Sequence, residues 1–150
     1  MKLVLASTLA LLLLPALVGS AAASVAVALP AASIAPIAGV PEGGYPDAFP
    51  FGECTWWAAY NHKVSWGGGD AKDWLANAKA AGVATSDVPS VGAIAVYRPG
   101  GAYSELGHVA IVIAVEPSSY RVSEMHAPQW GVVSSRVIRW PDPNVRGFIP

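Results

Sequence analysis

Three residue types that can work together on a carbonyl group occur in this sequence in the order cysteine, histidine, glutamate. Cys54 is the only cysteine among 150 residues and follows a Phe-Gly-Glu segment. His108 precedes an apolar run, and Glu124 comes after the next β-branched segment. A thiol becomes a nucleophile when a nearby base accepts its proton, and a carboxylate can orient that base. These residues are therefore candidates for nucleophile, general base and orienting group.

The surroundings of Cys54 favour a reactive thiol. Residues 55–60 contain no helix breaker and follow a Pro-Phe-Gly turn, which predicts a helix beginning at or just before Cys54. Unpaired backbone amides at a helix start favour the thiolate and could also hold an oxyanion. A lone cysteine cannot form an internal disulfide, so the alternatives are a buried apolar cysteine or a link between two chains.

His108 and Glu124 fall on neighbouring predicted strands. His108 stands at the head of the strand over residues 108–115, where its ring could reach the end of a sheet. Glu124 and His126 share one strand face because side chains alternate, and we expect both to point toward the face that carries His108. The alternatives are a structural histidine and a solvated edge-strand carboxylate.

The elements that would position these residues are helices first and strands afterwards. A second helix is predicted over residues 70–81, capped by Asp70 and closed by Gly82. Runs of β-branched and aromatic residues predict four strands, over residues 93–98, 108–115, 120–125 and 132–140. This order predicts an α+β fold in which N-terminal helices pack on a small antiparallel β-sheet.

The first part of the chain differs from the rest. Met1 and Lys2 precede an uncharged stretch over residues 3–18 and a small-residue segment over 19–23, which predicts an export signal at 1–23. Residues 24–44 are rich in Ala and Pro and predict a flexible spacer, with a catalytic domain over 45–150. We expect a secreted or cell-envelope protein. An uncleaved membrane anchor is the alternative, although Pro15, Pro30 and Pro36 disfavour one continuous helix.

The charge balance limits the classes of partner. The formal net charge is −1, and it becomes about −2 once Lys2 is removed with the signal. No basic patch stands out, which disfavours nucleic acid as a partner. We expect a monomer that does not stay inserted in a membrane after signal cleavage.

Four segments together resemble the motifs of a known family: residues 52–57, 71–74, 107–112 and 123–125. The chain is similar to the CHAP family, the cysteine, histidine-dependent amidohydrolases/peptidases, over residues 45–149. The resemblance implies a papain-like α+β fold and cleavage of amide bonds in bacterial peptidoglycan. It also implies Cys54 as nucleophile, His108 as general base and Glu124 as the group that orients it.

One position departs from that pattern. Many CHAP domains carry asparagine two residues after the glutamate, whereas this chain has His126. His126 could replace the amide as a hydrogen-bond donor, or it could carry a charge that depresses the pKa of His108. Some family members bind calcium through acids just before the cysteine. Only Asp47 and Glu53 occur there, so we expect no metal and no cofactor.

Aromatic residues near the motifs are candidates for substrate binding. Trp130 follows Glu124 in a Pro-Gln-Trp-Gly turn and is the first candidate, with Trp66 beside three glycines as the second and Glu53 as a polar one. Trp57 and Trp74, at helical positions, are expected in the core.

Two other functions stay open. His108, Glu124 and His126, with His62 or Cys54, have the ligand types of a zinc hydrolase, although no metal-binding spacing is present. A non-catalytic module that binds cell-wall fragments is the second. Within the hydrolase interpretation, amidase and endopeptidase activities are equally compatible with a Cys/His site.

Overall fold

The computed structural model describes residues 44–45 and 47–150. The predicted export signal at 1–23 lies outside the described residues, as does nearly all of the predicted spacer at 24–44.

Two short helices precede a five-stranded antiparallel sheet, which confirms the predicted α+β class. The sheet order is β4-β3-β2-β1-β5. The elements are α1 (Cys54–Asn61), a 3-10 turn (Ala71–Asp73) that leads into α2 (Trp74–Ala80), and the strands β1 (Ile94–Tyr97), β2 (His108–Glu116), β3 (Ser119–Met125), β4 (Val133–Arg139) and β5 (Val145–Ile149).

The second helix is shorter than predicted. Its first turn is the 3-10 segment, and the Asp70 side chain makes no capping hydrogen bond. Gly82 follows the helix with φ +73°, which suits a left-handed residue after a helix end. The fifth strand, Val145–Ile149, was not predicted, and it pairs with β1 at the edge of the sheet.

Alternation along the strands divides the core between the two faces of the sheet. Val109 and Ile111 of β2 pack with the helices, in a cluster that also contains Cys54 and Trp74. Ala110 and Val112 face the other side, where the cluster includes Tyr97, Tyr120 and Phe148. His108 belongs by alternation to this second face, and α1 lies against the first.

A side-chain hydrogen bond near the beginning of α1 ties this helix to the sheet. The helix packs against β2 and β3, and the Trp57 indole donates to the Ser123 hydroxyl of β3 over 3.0 Å. This contact fixes the beginning of α1 relative to the strand that carries Glu124. No helix among residues 44–45 and 47–150 combines the length and apolarity that a membrane crossing requires.

Candidate active site

Cys54 is the first residue of α1, at the end of the sheet where the helix meets β2 and β3. It is 8% exposed. No side chain caps this helix, because the Glu53 carboxylate bonds elsewhere. The backbone N–H groups of a first helical turn have no partner within the helix, so they remain available to a negative charge beside the sulfur.

His108 and Glu124 form a buried pair. The Nε2 of His108 and the Oε2 of Glu124 are 2.8 Å apart, and their side chains are 6% and 1% exposed. This leaves Nδ1 as the ring nitrogen available to Cys54, which lines the same cleft. The structure thus brings together the three residues that the sequence indicated, in the order nucleophile, imidazole and carboxylate.

The neighbours of His108 favour its charged form. Burial alone lowers the pKa of His108, but hydrogen bonds with Cys54 and Glu124 and the negative charges of both outweigh it and raise the pKa to about 9. The imidazole therefore holds its proton at neutral pH. The possibility that His126 depresses the pKa of His108 is not realised in this arrangement.

Arg136 of β4 binds the far side of Glu124. Its Nε donates to Oε1 over 2.5 Å, and its terminal NH2 donates to Oε2 over 3.2 Å. Burial tends to raise the pKa of Glu124, yet the bonds from His108 and Arg136 overcome it and lower that pKa. Glu124 is therefore a fully buried carboxylate held ionised by two cations.

Tyr103 covers one face of the imidazole. Its ring stacks on His108 with centroids 5.0 Å apart and an 8° angle between the planes, and its hydroxyl accepts a hydrogen bond from Arg136. Neither Tyr103 nor Arg136 was singled out from the sequence. The available signal was position along the strands: Arg136 is the diagonal neighbour of Glu124 on the same face of the sheet.

Gly107, just before His108, allows the chain to pass close to the backbone of Lys72. Its φ is +79°, and a Cβ there would lie 2.8 Å from the Lys72 backbone nitrogen. The neighbouring Leu106 carbonyl accepts a hydrogen bond from that same nitrogen over 2.9 Å. Only glycine suits both the conformation and the contact, so Gly107 seats the start of β2 against the 3-10 turn.

His126 lies at the mouth of the site and does not contact His108. Its Nδ1 is 2.9 Å from the Glu53 Oε2, and the two side chains are 43% and 38% exposed. The backbone of His126 is left-handed, with φ +62°, which breaks the strand alternation after Glu124. Glu124 follows the predicted face, whereas His126 turns toward the residue before the cysteine.

These residues line an open cleft with a volume of about 940 Å³. Glu53, a candidate for substrate binding from the sequence, lies in it. Trp130 is 56% exposed and its indole lies over Gly52, beside the cleft. Trp66 is 8% exposed and packs edge-on against Trp74, so the structure places it in the core and not in the cleft.

The ligand types considered for a zinc site bind one another instead. Cys54, His108 and Glu124 form one set, and His126 bonds to Glu53. Within the described part of the chain, no three His, Cys, Asp or Glu side chains are grouped in a way that could hold a metal ion.

The sequence model of the CHAP domain matches residues 44–126, more than half of the chain. The protein therefore belongs to the CHAP domain family. The fold is also similar to the crystal structure of an N-acetylmuramoyl-L-alanine amidase from Staphylococcus aureus, with a TM-score of 0.53 and 28% sequence identity. That match covers 63% of this chain and 30% of the staphylococcal chain, so less than a third of the larger protein has a counterpart here.

Proposed function

We propose that this protein is a secreted hydrolase that cleaves an amide bond of bacterial peptidoglycan, with Cys54 as the nucleophile. The observation that carries the proposal is the contiguous set of Cys54, His108 and Glu124 at the end of the sheet, open to a cleft. Membership of the CHAP family and likeness to an amidase that acts on the same polymer support the substrate class.

The first half of the proposed reaction is acyl transfer to sulfur. In the proposed reaction the nucleophile is the thiolate form of Cys54, beside the protonated imidazole of His108. The thiolate attacks the amide carbonyl carbon, and the oxygen becomes an oxyanion near the first-turn amides of α1. Nδ1 of His108 then donates its proton to the leaving nitrogen, the C–N bond breaks, and a thioester and a free amine result.

The second half is hydrolysis of the thioester. The imidazole, now neutral, removes a proton from a water molecule, and the hydroxide attacks the thioester carbonyl. Collapse of the second tetrahedral intermediate breaks the C–S bond and restores the thiolate and the imidazolium. Glu124 remains ionised throughout, since it orients the ring through Nε2 and stabilises its charge.

The cleaved bond is one of two kinds. An N-acetylmuramoyl-L-alanine amidase frees the stem peptide from the glycan, and an endopeptidase cuts within the stem or the cross-bridge. Both reactions leave a new amino group. Because they cut at different points, their fragments differ in mass, and the product masses distinguish them. Export by residues 1–23 would bring the enzyme to this substrate, and the released domain is proposed to act as a monomer.

The test is digestion of purified peptidoglycan followed by mass spectrometry of the released fragments. Wild-type protein should yield muropeptides with new amino groups, Cys54→Ala should yield none, and a chelator should have no effect. Products that persist in Cys54→Ala or vanish with chelator would overturn cysteine catalysis. No products from folded wild-type protein on several wall types would favour a non-catalytic wall-binding module.

A further inference from the structure

Arg136 reaches the candidate active site from the strand next to Glu124. Glu124 lies opposite Ser134, which makes Arg136 its diagonal neighbour on the same face. The two guanidinium bonds engage both carboxylate oxygens, and Oε2 is shared with His108. A planar guanidinium that binds both oxygens fixes the plane of the carboxylate, which a single ammonium group cannot do.

The charges of the buried groups balance only when Arg136 is counted. With Cys54 in the thiolate form that the proposed reaction uses, Cys54 and Glu124 carry two negative charges, and His108 and Arg136 carry two positive ones. The other charged side chains that line the cleft are paired: Glu53 with His126 at 2.9 Å, and Asp70 with Lys72 of the 3-10 turn at 3.4 Å. Arg136, whose side chain is 39% exposed, is therefore the second counter-charge of the buried Glu124 carboxylate, beside His108.

Arg136 also holds the ring that covers His108. It donates to the Tyr103 hydroxyl, and its guanidinium carbon lies 5.4 Å from the Tyr103 ring centre. Tyr103 belongs to a turn segment between β1 and β2, where no strand pairing holds it. Side-chain contacts with Arg136, His108 and Tyr97 thus decide where its ring lies.

We propose that Arg136 is a positioning residue of this site, which fixes His108 from two sides by holding Glu124 at its Nε2 edge and Tyr103 on its face. The inference rests on the proposed function for its role in hydrolysis, but its effect on Cys54 is independent of any substrate. Arg136 lies beyond residues 44–126, the part matched by the family, so its role is not part of that match.

The test follows the reaction of Cys54 with iodoacetamide as a function of pH. Cys54 is the only cysteine in the sequence, so the rate reports one site. The variants are Arg136→Gln, Arg136→Lys and Tyr103→Phe. Arg139→Gln is the matched control, because Arg139 is an exposed arginine on the same strand.

Without Arg136, the buried Glu124 carboxylate keeps only His108 as a cationic partner, so it is less firmly held and the positive charge beside Cys54 is weaker. We expect Arg136→Gln to move the midpoint of the alkylation profile up by about one pH unit, a roughly tenfold slower reaction on the rising limb. Arg136→Lys should recover part of the shift, since it restores the charge without the two-bond geometry. Tyr103→Phe should move the midpoint slightly in the same direction, and Arg139→Gln should match wild type.

A midpoint for Arg136→Gln equal to that of Arg139→Gln would overturn the inference. If circular dichroism shows Arg136→Gln to be unfolded, Arg136→Lys and Tyr103→Phe decide, and wild-type midpoints in both would overturn it. Wild-type protein that releases no muropeptides would contradict the proposed function, while the alkylation midpoints would still decide the role of Arg136.

Discussion

Among residues 44–45 and 47–150, two histidine–glutamate pairs have nearly the same geometry and very different surroundings. His108 and Glu124 are 2.8 Å apart with side chains at most 6% exposed, whereas His126 and Glu53 are 2.9 Å apart and about 40% exposed. The first pair joins adjacent strands in the interior, and the second closes across the cleft mouth from the residue before α1 to the residue after β3.

The comparison shows that burial, and not contact distance, decides what such a pair can do. Water and salt screen the exposed pair, so each partner can be removed at little cost. The buried pair has no solvent to replace a missing partner, and Arg136 joins it as a third charged group that also lowers the pKa of Glu124. Only the buried pair can therefore hold the imidazole in one orientation and one charge state.

The two pairs should differ most in how much each contributes to the free energy of unfolding. Glu124→Gln leaves His108 and Arg136 without their anion, and we expect a loss of about 3–5 kcal/mol in the free energy of unfolding. Glu53→Gln should cost less than about 1 kcal/mol. Urea unfolding at pH 6.5 measures both values, and equal losses would remove the distinction between the pairs.

The second largest difference between the two pairs is expected in kcat. Glu124→Gln can no longer stabilise the imidazolium, so we expect kcat for release of muropeptides to fall by about 10²–10³-fold. Glu53→Gln should stay within about threefold in kcat, since its carboxylate does not touch His108. Measurements are made below the unfolding midpoint of each variant. A larger loss of kcat in Glu53→Gln than in Glu124→Gln would show that the essential carboxylate is Glu53, at the cleft mouth.

The pH dependence of stability should follow His108. Its pKa is raised from 6.5 in the unfolded chain to about 9 in the folded protein, so the protonated form stabilises the fold. That contribution is fully present below about pH 6.5 and is lost as pH rises through 9, a fall of at most about 3 kcal/mol. Urea unfolding between pH 6 and 10 should show the fall in wild type and in His126→Asn, but not in His108→Gln. An unchanged slope in His108→Gln would assign the effect to another group.

The smallest effect is expected at His126. Replacement by asparagine, the residue common at this position in the family, removes an exposed ion pair and suits the left-handed backbone equally well. We expect stability to change by less than about 1 kcal/mol and kcat to stay within about threefold. Thermal unfolding and muropeptide release test this, and a loss of activity as large as that of Glu124→Gln would show that His126 acts on the reaction itself.

The sequence predicts Cys54, His108 and Glu124 because each stands at a recognisable place in the pattern of residues. Cys54 begins a helix, His108 heads an apolar run, and Glu124 sits inside a run whose alternation gives its face. His126 could not be placed in the same way. Alternation assumes extended backbone, and His126 leaves it with φ +62°.

Other features depend on contacts that residue types do not reveal. Arg136 has the appearance of one more polar residue on the half-exposed strand β4, and Tyr103 that of a loop residue. Their roles come from strand register and a stacking contact. The position of Trp66 could not be predicted for the same reason. Its neighbouring glycines suggest a surface loop, but its indole packs into the core. The edge strand β5 is only five residues long and contains Gly147, which weakens its pattern.

The bond between Glu124 and Nε2 of His108 also sets the order of events in the proposed reaction. Nε2 of His108 is hydrogen-bonded to Glu124, and Tyr103 covers one face of the ring. Proton transfer to and from substrate therefore takes place at Nδ1. The amine must take its proton there and depart before a water molecule can occupy the same place. Catalysis would then be ping-pong: an added amine that competes with water for the acyl group should divert product without slowing release of the first fragment.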